Sequence, residues 1–191
     1  MLLAQCADAG VKPLLEGPDW GLLDRRSAIG GQVLRIQTAS GPLGELFLPV
    51  FGEHMAHNAA QAVAAVEALT GPLKPAIIEQ GLAAVQAPAR LEVVRRSPLV
   101  ILDTFHNPHG AASAIAGVRE SFEVEPLIAV VAAMADKDVD GVLAVLSDTV
   151  SYLVVTSMPD LPRALSVDEL ADKASALSLI HISEPTRQEA I

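Results

Sequence analysis

The sequence predicts an α/β chain in which a parallel sheet flanked by helices follows a β-hairpin and two helices. Three observations lead there. From Pro98 onward, short branched apolar runs alternate with helical stretches, the pattern of right-handed βαβ crossovers with helices on both faces of a sheet. The run Leu99 to Leu102, bounded by Pro98 and a polar cluster, reads as a fully buried strand of that sheet. Ahead of it, two alternating segments separated by a Gly- and Pro-containing turn read as a hairpin.

Taken in order, Met1 to Gly10 reads as the end of a helix, with Leu2, Leu3 and Cys6 at helical spacing and Gly10 as its stop. Gly30-Gly31 marks a turn, Val33 to Gln37 alternates as a strand, residues 40–44 turn, and Glu45 to Val50 returns. A lone hairpin is marginal in water, so the first fifty residues are expected to belong to a sheet whose other strands are not in this chain. A helix with an apolar face at Ala60, Val63, Ala64 and Val66 runs from about Gly52 to Leu69 and ends at Gly71, and a second runs from Pro75 to about Val85. The α/β part then reads strand 99–102, helix 108–122, strand 127–132, helix 138–147, strand 151–156 and helix 166–174. Asn107 is a natural N-cap and Pro108 a natural first helical residue for the 108–122 segment.

With 51% hydrophobic residues in a chain of 191, there is material for the core of one domain or two small ones. The longest apolar run, Leu127 to Ala135, is about half the ~18–20 residues a spanning helix needs, so no membrane segment is expected. Met1 to Cys6 lacks the basic residues of a secretory signal, and Cys6 alone cannot form an internal disulfide; both fit a cytoplasmic protein. A formal charge of −10 and scattered basic residues argue against nucleic acid as a partner, and 3% aromatic residues leave no stacking platform for single strands.

Ligands of open α/β sheets bind beyond the carboxyl ends of the strands, which singles out Asp103, His106 and Asn107 after the 99–102 run. Each has a plainer reading: Asp103 as a helix-entry cap, His106 and Asn107 as capping residues. Arg90 suits a phosphate because its planar fork holds two oxygens at once, though a solvated arginine fits its position too. Asn58, near the start of its helix, is open between a ligand contact and a cap, and Lys137 between phosphate neutralisation and a solvated loop. His54 and His57 beside Glu53 have the spacing of a metal pair but no third ligand, so no metal site is assigned.

Four segments carry a family resemblance. Ala89-Arg90-Leu91-Glu92 and Asp103-Thr104-Phe105-His106-Asn107-Pro108 resemble the Gly-Arg-x-Glu and Asp-x-Ala-His-Asn-Pro motifs of the Mur ligase superfamily, in its folylpolyglutamate synthase/dihydrofolate synthase branch. Ala89 and Phe105 are departures from that pattern, standing where Gly and Ala are usual. Gly52-Glu-His-Met-Ala-His-Asn58-Ala and Asp136-Lys137-Asp138 extend the likeness on either side. The resemblance implies the end of a central domain over 1–88 and a Rossmann-like C-terminal ligase domain over 89–176. It implies ATP as cofactor, with Asn58 at the adenine, Asp103 at the ribose, Arg90 at phosphate, and His106 as the catalytic candidate at the γ-phosphate or the incoming amino acid. Mg²⁺ is implied as well, with its ligands upstream of Met1. The implied reaction joins glutamate to folate or dihydropteroate through an acyl phosphate, in an enzyme that is monomeric when full length. A peptidoglycan-precursor ligase and a non-catalytic nucleotide-binding module are the alternatives. None of Lys12, Lys74, Lys137 and Lys173 follows a glycine, so no Gly-x-x-x-x-Gly-Lys loop is present and the chain alone is expected to be inactive.

Residues 177–191 break the Ala/Val/Leu-rich pattern. Leu177-Ser-Leu-Ile-His-Ile-Ser-Glu-Pro-Thr-Arg187 is similar to the in-frame translation of a transposase adapter used in sequencing libraries. The tail is therefore expected to stand outside the fold.

Overall fold

The structure, a computed structural model, describes residues 2–158, 160–177 and 181–183. The chain divides into two compact units, Met1–Pro88 and Ala89–Ile191.

The first unit opens with a short helix, α1 (Leu2–Asp8), that buries none of its residues. Three strands follow, β1 (Gly21–Ala28), β2 (Gly31–Thr38) and β3 (Gly41–Leu48), in an antiparallel sheet of order β1-β2-β3. The expected hairpin is β2–β3, and its missing neighbour is supplied by this chain: β1 pairs with β2 from Gly21↔Gln37 to Ala28↔Gly31. Asp24, Arg25 and Arg26 hide β1 from a hydrophobicity reading, because an edge strand exposing one face carries charge without losing its ladder.

The opposite face of the sheet buries Leu34, Ile36, Leu46 and Leu48 against two helices, α2 (Glu53–Thr70) and α3 (Pro75–Ala83). The α2 stripe Ala56, Ala59, Ala60 and Val63 is small enough to lie close on those strands, and Ile78 and Leu82 of α3 complete the core. At the N-terminal end of β2 the backbones crowd: a Cβ added to Gly31 would stand 2.2 Å from the Leu48 carbonyl oxygen. Beside it the buried Gln32 amide donates to the carbonyls of Val50 and Gly52, both at 3.0 Å. Those two bonds secure the passage from β3 into α2, whose N-cap Gly52 has no side chain to offer.

The second unit begins with a hairpin of β4 (Glu92–Arg96) and β5 (Leu99–Leu102), paired antiparallel from Glu92↔Leu102 to Arg96↔Leu99. The expectation of a buried parallel strand at 99–102 is thus corrected, since β5 shares a two-stranded sheet with β4 and Leu102 is 46% exposed. A four-residue apolar run has no periodicity long enough to reveal its partner, and the short Ser97-Pro98 connection brings the chain straight back.

The parallel part comes next: α4 (Pro108–Ser121), β6 (Ile128–Val131), α5 (Val139–Ser147), β7 (Tyr152–Val155), α6 (Val167–Ser175) and β8 (His181–Ser183). β6, β7 and β8 form one parallel sheet in that order. Val131, Leu153 and Val155 meet Ala111, Leu143, Leu146 and Leu170 of the three helices in a single core. Among the described residues helices cover only this face, because Ile128, Val130 and Tyr152 on the other are all exposed; the expectation of helices on both faces is corrected to that extent. β8 falls in the tail expected to stand outside the fold, so residues 181–183 do take part in the sheet, pairing Leu153↔His181 to Val155↔Ser183. The rest of the tail beyond Leu177 lies outside the described residues.

Candidate nucleotide site

In the second unit the two motif segments are stitched to each other. The Asp103 carboxylate uses both oxygens on backbone, Oδ2 accepting the Leu91 N–H at 3.0 Å and Oδ1 the Phe105 N–H at 2.8 Å. Thr104 donates its own N–H (3.0 Å) and its Oγ1 (3.2 Å) to the Ala89 carbonyl. The turn closes on itself where the Ala89 N–H donates to Glu92 Oε2 at 2.8 Å. The residues on either side of Arg90 are left-handed, Ala89 at φ 53° and Leu91 at φ 47°. Non-glycine residues adopt that region at a cost of about 1–3 kcal/mol each and stay there only when the surroundings hold them. Ala89 stands at the position where the resembling motif has Gly, which the positive φ explains.

Arg90 itself is exposed and makes no hydrogen bond or ion pair among the described residues. His106 is exposed in the same way. Asn107 is the cap of α4, its Oδ1 accepting the Gly110 N–H at 2.7 Å, with Pro108 in the first helical position. The capping readings of Asp103 and His106 therefore do not hold, because Asn107 occupies that role.

The loops after β6 and β7 lie at the carboxyl edge of the sheet and are tied together. Ala135 N–H donates to the Arg163 carbonyl (2.8 Å) and Leu165 N–H to that of Ala133 (2.9 Å). Asp136 Oδ2 stands 3.2 Å from Arg163 Nη1 and 3.4 Å from Lys137 Nζ. Desolvation pushes the Asp136 carboxyl up, but the charges of Lys137 and Arg163, with hydrogen bonds in its own loop, outweigh it and hold the group below its ordinary range. Asp138 caps α5 through Gly141 N–H at 3.0 Å, and a Cβ at Gly141 would stand 2.5 Å from Pro108 Cγ. That contact sets the first turns of α4 and α5 side by side, so the 103–108 and 136–138 segments are neighbours.

In the first unit Asn58 is in the second turn of α2, exposed, with no hydrogen bond among the described residues, so it is not a cap. His57 beside it is occupied: Nδ1 is 2.6 Å from Glu16 Oε1 and Nε2 is 3.8 Å from Glu53 Oε1. Sequence reasoning does not single out the Glu92 and Thr104 side chains that hold the turn at Arg90, and the one available signal is that Glu92 belongs to the Arg-x-Glu motif.

The Mur ligase, glutamate ligase domain matches residues 89–191. The chain belongs to the Mur ligase family. Within that family it is 40% identical over 176 residues to the dihydrofolate synthase/folylpolyglutamate synthase of Mycobacterium tuberculosis, an alignment covering 90% of this chain and 36% of the relative. Among solved structures, the Mycobacterium tuberculosis folylpolyglutamate synthase complexed with ADP and AMPPCP superposes with a TM-score of 0.91 at 38% identity, over 95% of this chain and 42% of that one. Escherichia coli FolC in complex with DHPP and ADP gives 0.83 at 25% identity, over 96% and 41%. The chain thus spans about two fifths of the length of the relatives it matches.

Proposed function

We propose that this chain is part of an ATP-dependent amide ligase that adds glutamate to folate or dihydropteroate. The observation that carries the reading is Arg90, an unpartnered guanidinium among the described residues, on a locked turn beside Asp103, in a family whose solved relatives are named as complexes with ADP and AMPPCP. In this reading Arg90 grips phosphate oxygens of ATP. Asp103, held by two amides, keeps lone pairs for a ribose hydroxyl. Asn58 offers its amide to the adenine and His106 faces the γ-phosphate or the incoming glutamate. The substrate carboxylate takes the γ-phosphoryl group to form an acyl phosphate and ADP; the glutamate amine then attacks the acyl carbon, phosphate leaves, and an amide results. The protein's task is to hold three polar reactants together and to neutralise charge as it develops.

ATP would arrive with Mg²⁺, but among the described residues no three His, Cys, Asp or Glu side chains stand together as a ligand set. We take the enzyme to be a cytoplasmic monomer when full length.

The test uses the full-length ligase. Arg90→Ala and Asp103→Ala should each raise the ATP KM by roughly tenfold or more, the consequence of losing a charge-assisted hydrogen bond. ATP kinetics unchanged in both variants would overturn the assignment. The 191-residue chain by itself, which lacks a Gly-x-x-x-x-Gly-Lys loop, should show no ATP-dependent glutamate addition.

A further inference from the structure

We infer that Glu92, with Thr104 in support, is a positioning residue for Arg90, holding the Ala89–Leu91 turn in its left-handed form so that the guanidinium is presented ready for phosphate. This rests on the reading of Arg90 as a phosphate ligand. Three features carry it. First, the backbone on both sides of Arg90 has positive φ at residues that are not glycine, so the turn does not hold its shape by intrinsic preference. Second, three polar side chains are directed at that backbone. Glu92 Oε2 takes the Ala89 N–H at 2.8 Å, Thr104 Oγ1 reaches the Ala89 carbonyl at 3.2 Å, and Asp103 Oδ2 takes the Leu91 N–H at 3.0 Å. The Leu91 side chain, 2% exposed, anchors the turn from within. Third, the residue at the centre of this lattice has no partner of its own among the described residues. A turn that served only to connect two elements would need no such convergence on the backbone flanking a side chain that is itself unpaired among the described residues. A locked backbone under a free charged tip is what a ligand contact requires, because the ordering is complete before the ligand arrives.

Glu92 acts only on residue 89. Its carboxylate is engaged with the Ala89 N–H, and the effect on ATP runs through the conformation of Arg90. Glycine reaches positive φ without strain, so a glycine at 89 needs that carboxylate far less.

The experiment is steady-state kinetics on the full-length ligase, with Arg90→Ala as reference and thermal melts alongside. Glu92→Ala should raise the ATP KM about five- to tenfold while leaving the glutamate KM within about twofold, since one hydrogen bond to the turn is lost. Glu92→Gln keeps an acceptor oxygen and should recover most of the loss. Ala89→Gly placed in the Glu92→Ala background should also bring the ATP KM back toward wild type, an outcome no general destabilisation would produce. Thr104→Val, which keeps the backbone bond and removes only Oγ1, should raise the ATP KM about two- to threefold, and it carries the test if Glu92→Ala does not fold. A Glu92→Ala enzyme with a lowered melting temperature and an unchanged ATP KM overturns the proposal, as does failure of both rescues. If Arg90→Ala raises the ATP KM and Glu92→Ala does not, only the positioning role falls. If Arg90→Ala is silent, the phosphate reading falls first.

Discussion

Asn58 and Arg90 are presented in opposite ways. Asn58 projects from the second turn of an 18-residue helix whose inner stripe of alanine and valine lies on a three-stranded sheet, so its position follows from helical period and apolar packing. Arg90 projects from a turn held against its own preference by carboxylates and a hydroxyl up to fifteen residues away in sequence. The helix gives a side chain a fixed address through many weak, redundant contacts. The turn does it through a few hydrogen bonds from specific side chains to its backbone.

The sharpest way to break this comparison is to damage the seat of the helix. Gly31→Ala would place a Cβ 2.2 Å from the Leu48 carbonyl oxygen and 2.8 Å from the Pro49 Cα, both backbone atoms that cannot swing aside. It should lower unfolding free energy by about 3 kcal/mol in urea titration, the upper part of the range for overpacking. A variant as stable as wild type would mean that the β2–β3 contact is looser than the structure has it.

Gln32→Leu should follow at about 2 kcal/mol, because the Val50 and Gly52 carbonyls lose a buried donor at the entrance to α2. Hydrogen exchange should then quicken at the start of α2 and stay unchanged in residues 89–107. Coupled loss of protection in both places would remove the distinction between the two seats.

The turn predicts a change of opposite sign. Ala89→Gly alone should stabilise the chain by about 1 kcal/mol, since a left-handed alanine is relieved. If the melting temperature falls instead, Ala89 is not strained and the account of the turn fails.

The smallest expected effect belongs to the cap of α6, a local device like the turn but built without strain. Ser166 accepts the Glu169 N–H, and the Glu169 carboxylate takes the Ser166 hydroxyl and N–H in return. Those bonds hold the Glu169 carboxyl below its ordinary value. A lowered folded-state value means that the contribution is complete above the ordinary glutamate range and is lost as pH falls through the folded value. Ser166→Ala should therefore flatten the acid limb of the stability profile between about pH 5 and pH 3, a window bracketing the usual glutamate range. Parallel acid limbs in the two proteins would count against it.

Periodicity and turn chemistry make α2, α3, α4, β6, α5, β7 and α6 legible in the amino-acid sequence, along with the Asn107 cap and Pro108 start of α4. Local signals suffice there because each element is specified by residues within a turn or two of one another. Edge strand β1 is not legible, since Asp24-Arg25-Arg26 look like a loop until a neighbour supplies the ladder. The pairing of β5 is also hidden, because four apolar residues fit a buried parallel strand and a half-exposed hairpin alike.

The candidate site divides along the same line. Sequence by itself determined which side chains were candidates, since Arg90, Asp103, His106 and Asn58 stand at positions of the resembling motifs and carry a fork, carboxylate, imidazole and amide able to contact ATP. Only the tertiary structure decided what each is bound to: Asp103 to two amides, Glu92 to the Ala89 N–H, Arg90 to no partner among the described residues. The physical reason is that a residue's type sets what it can donate or accept, whereas its available partners depend on distances between segments. No local rule links Leu91 to a carboxylate twelve residues on, and that link exists only once β4 and β5 have paired.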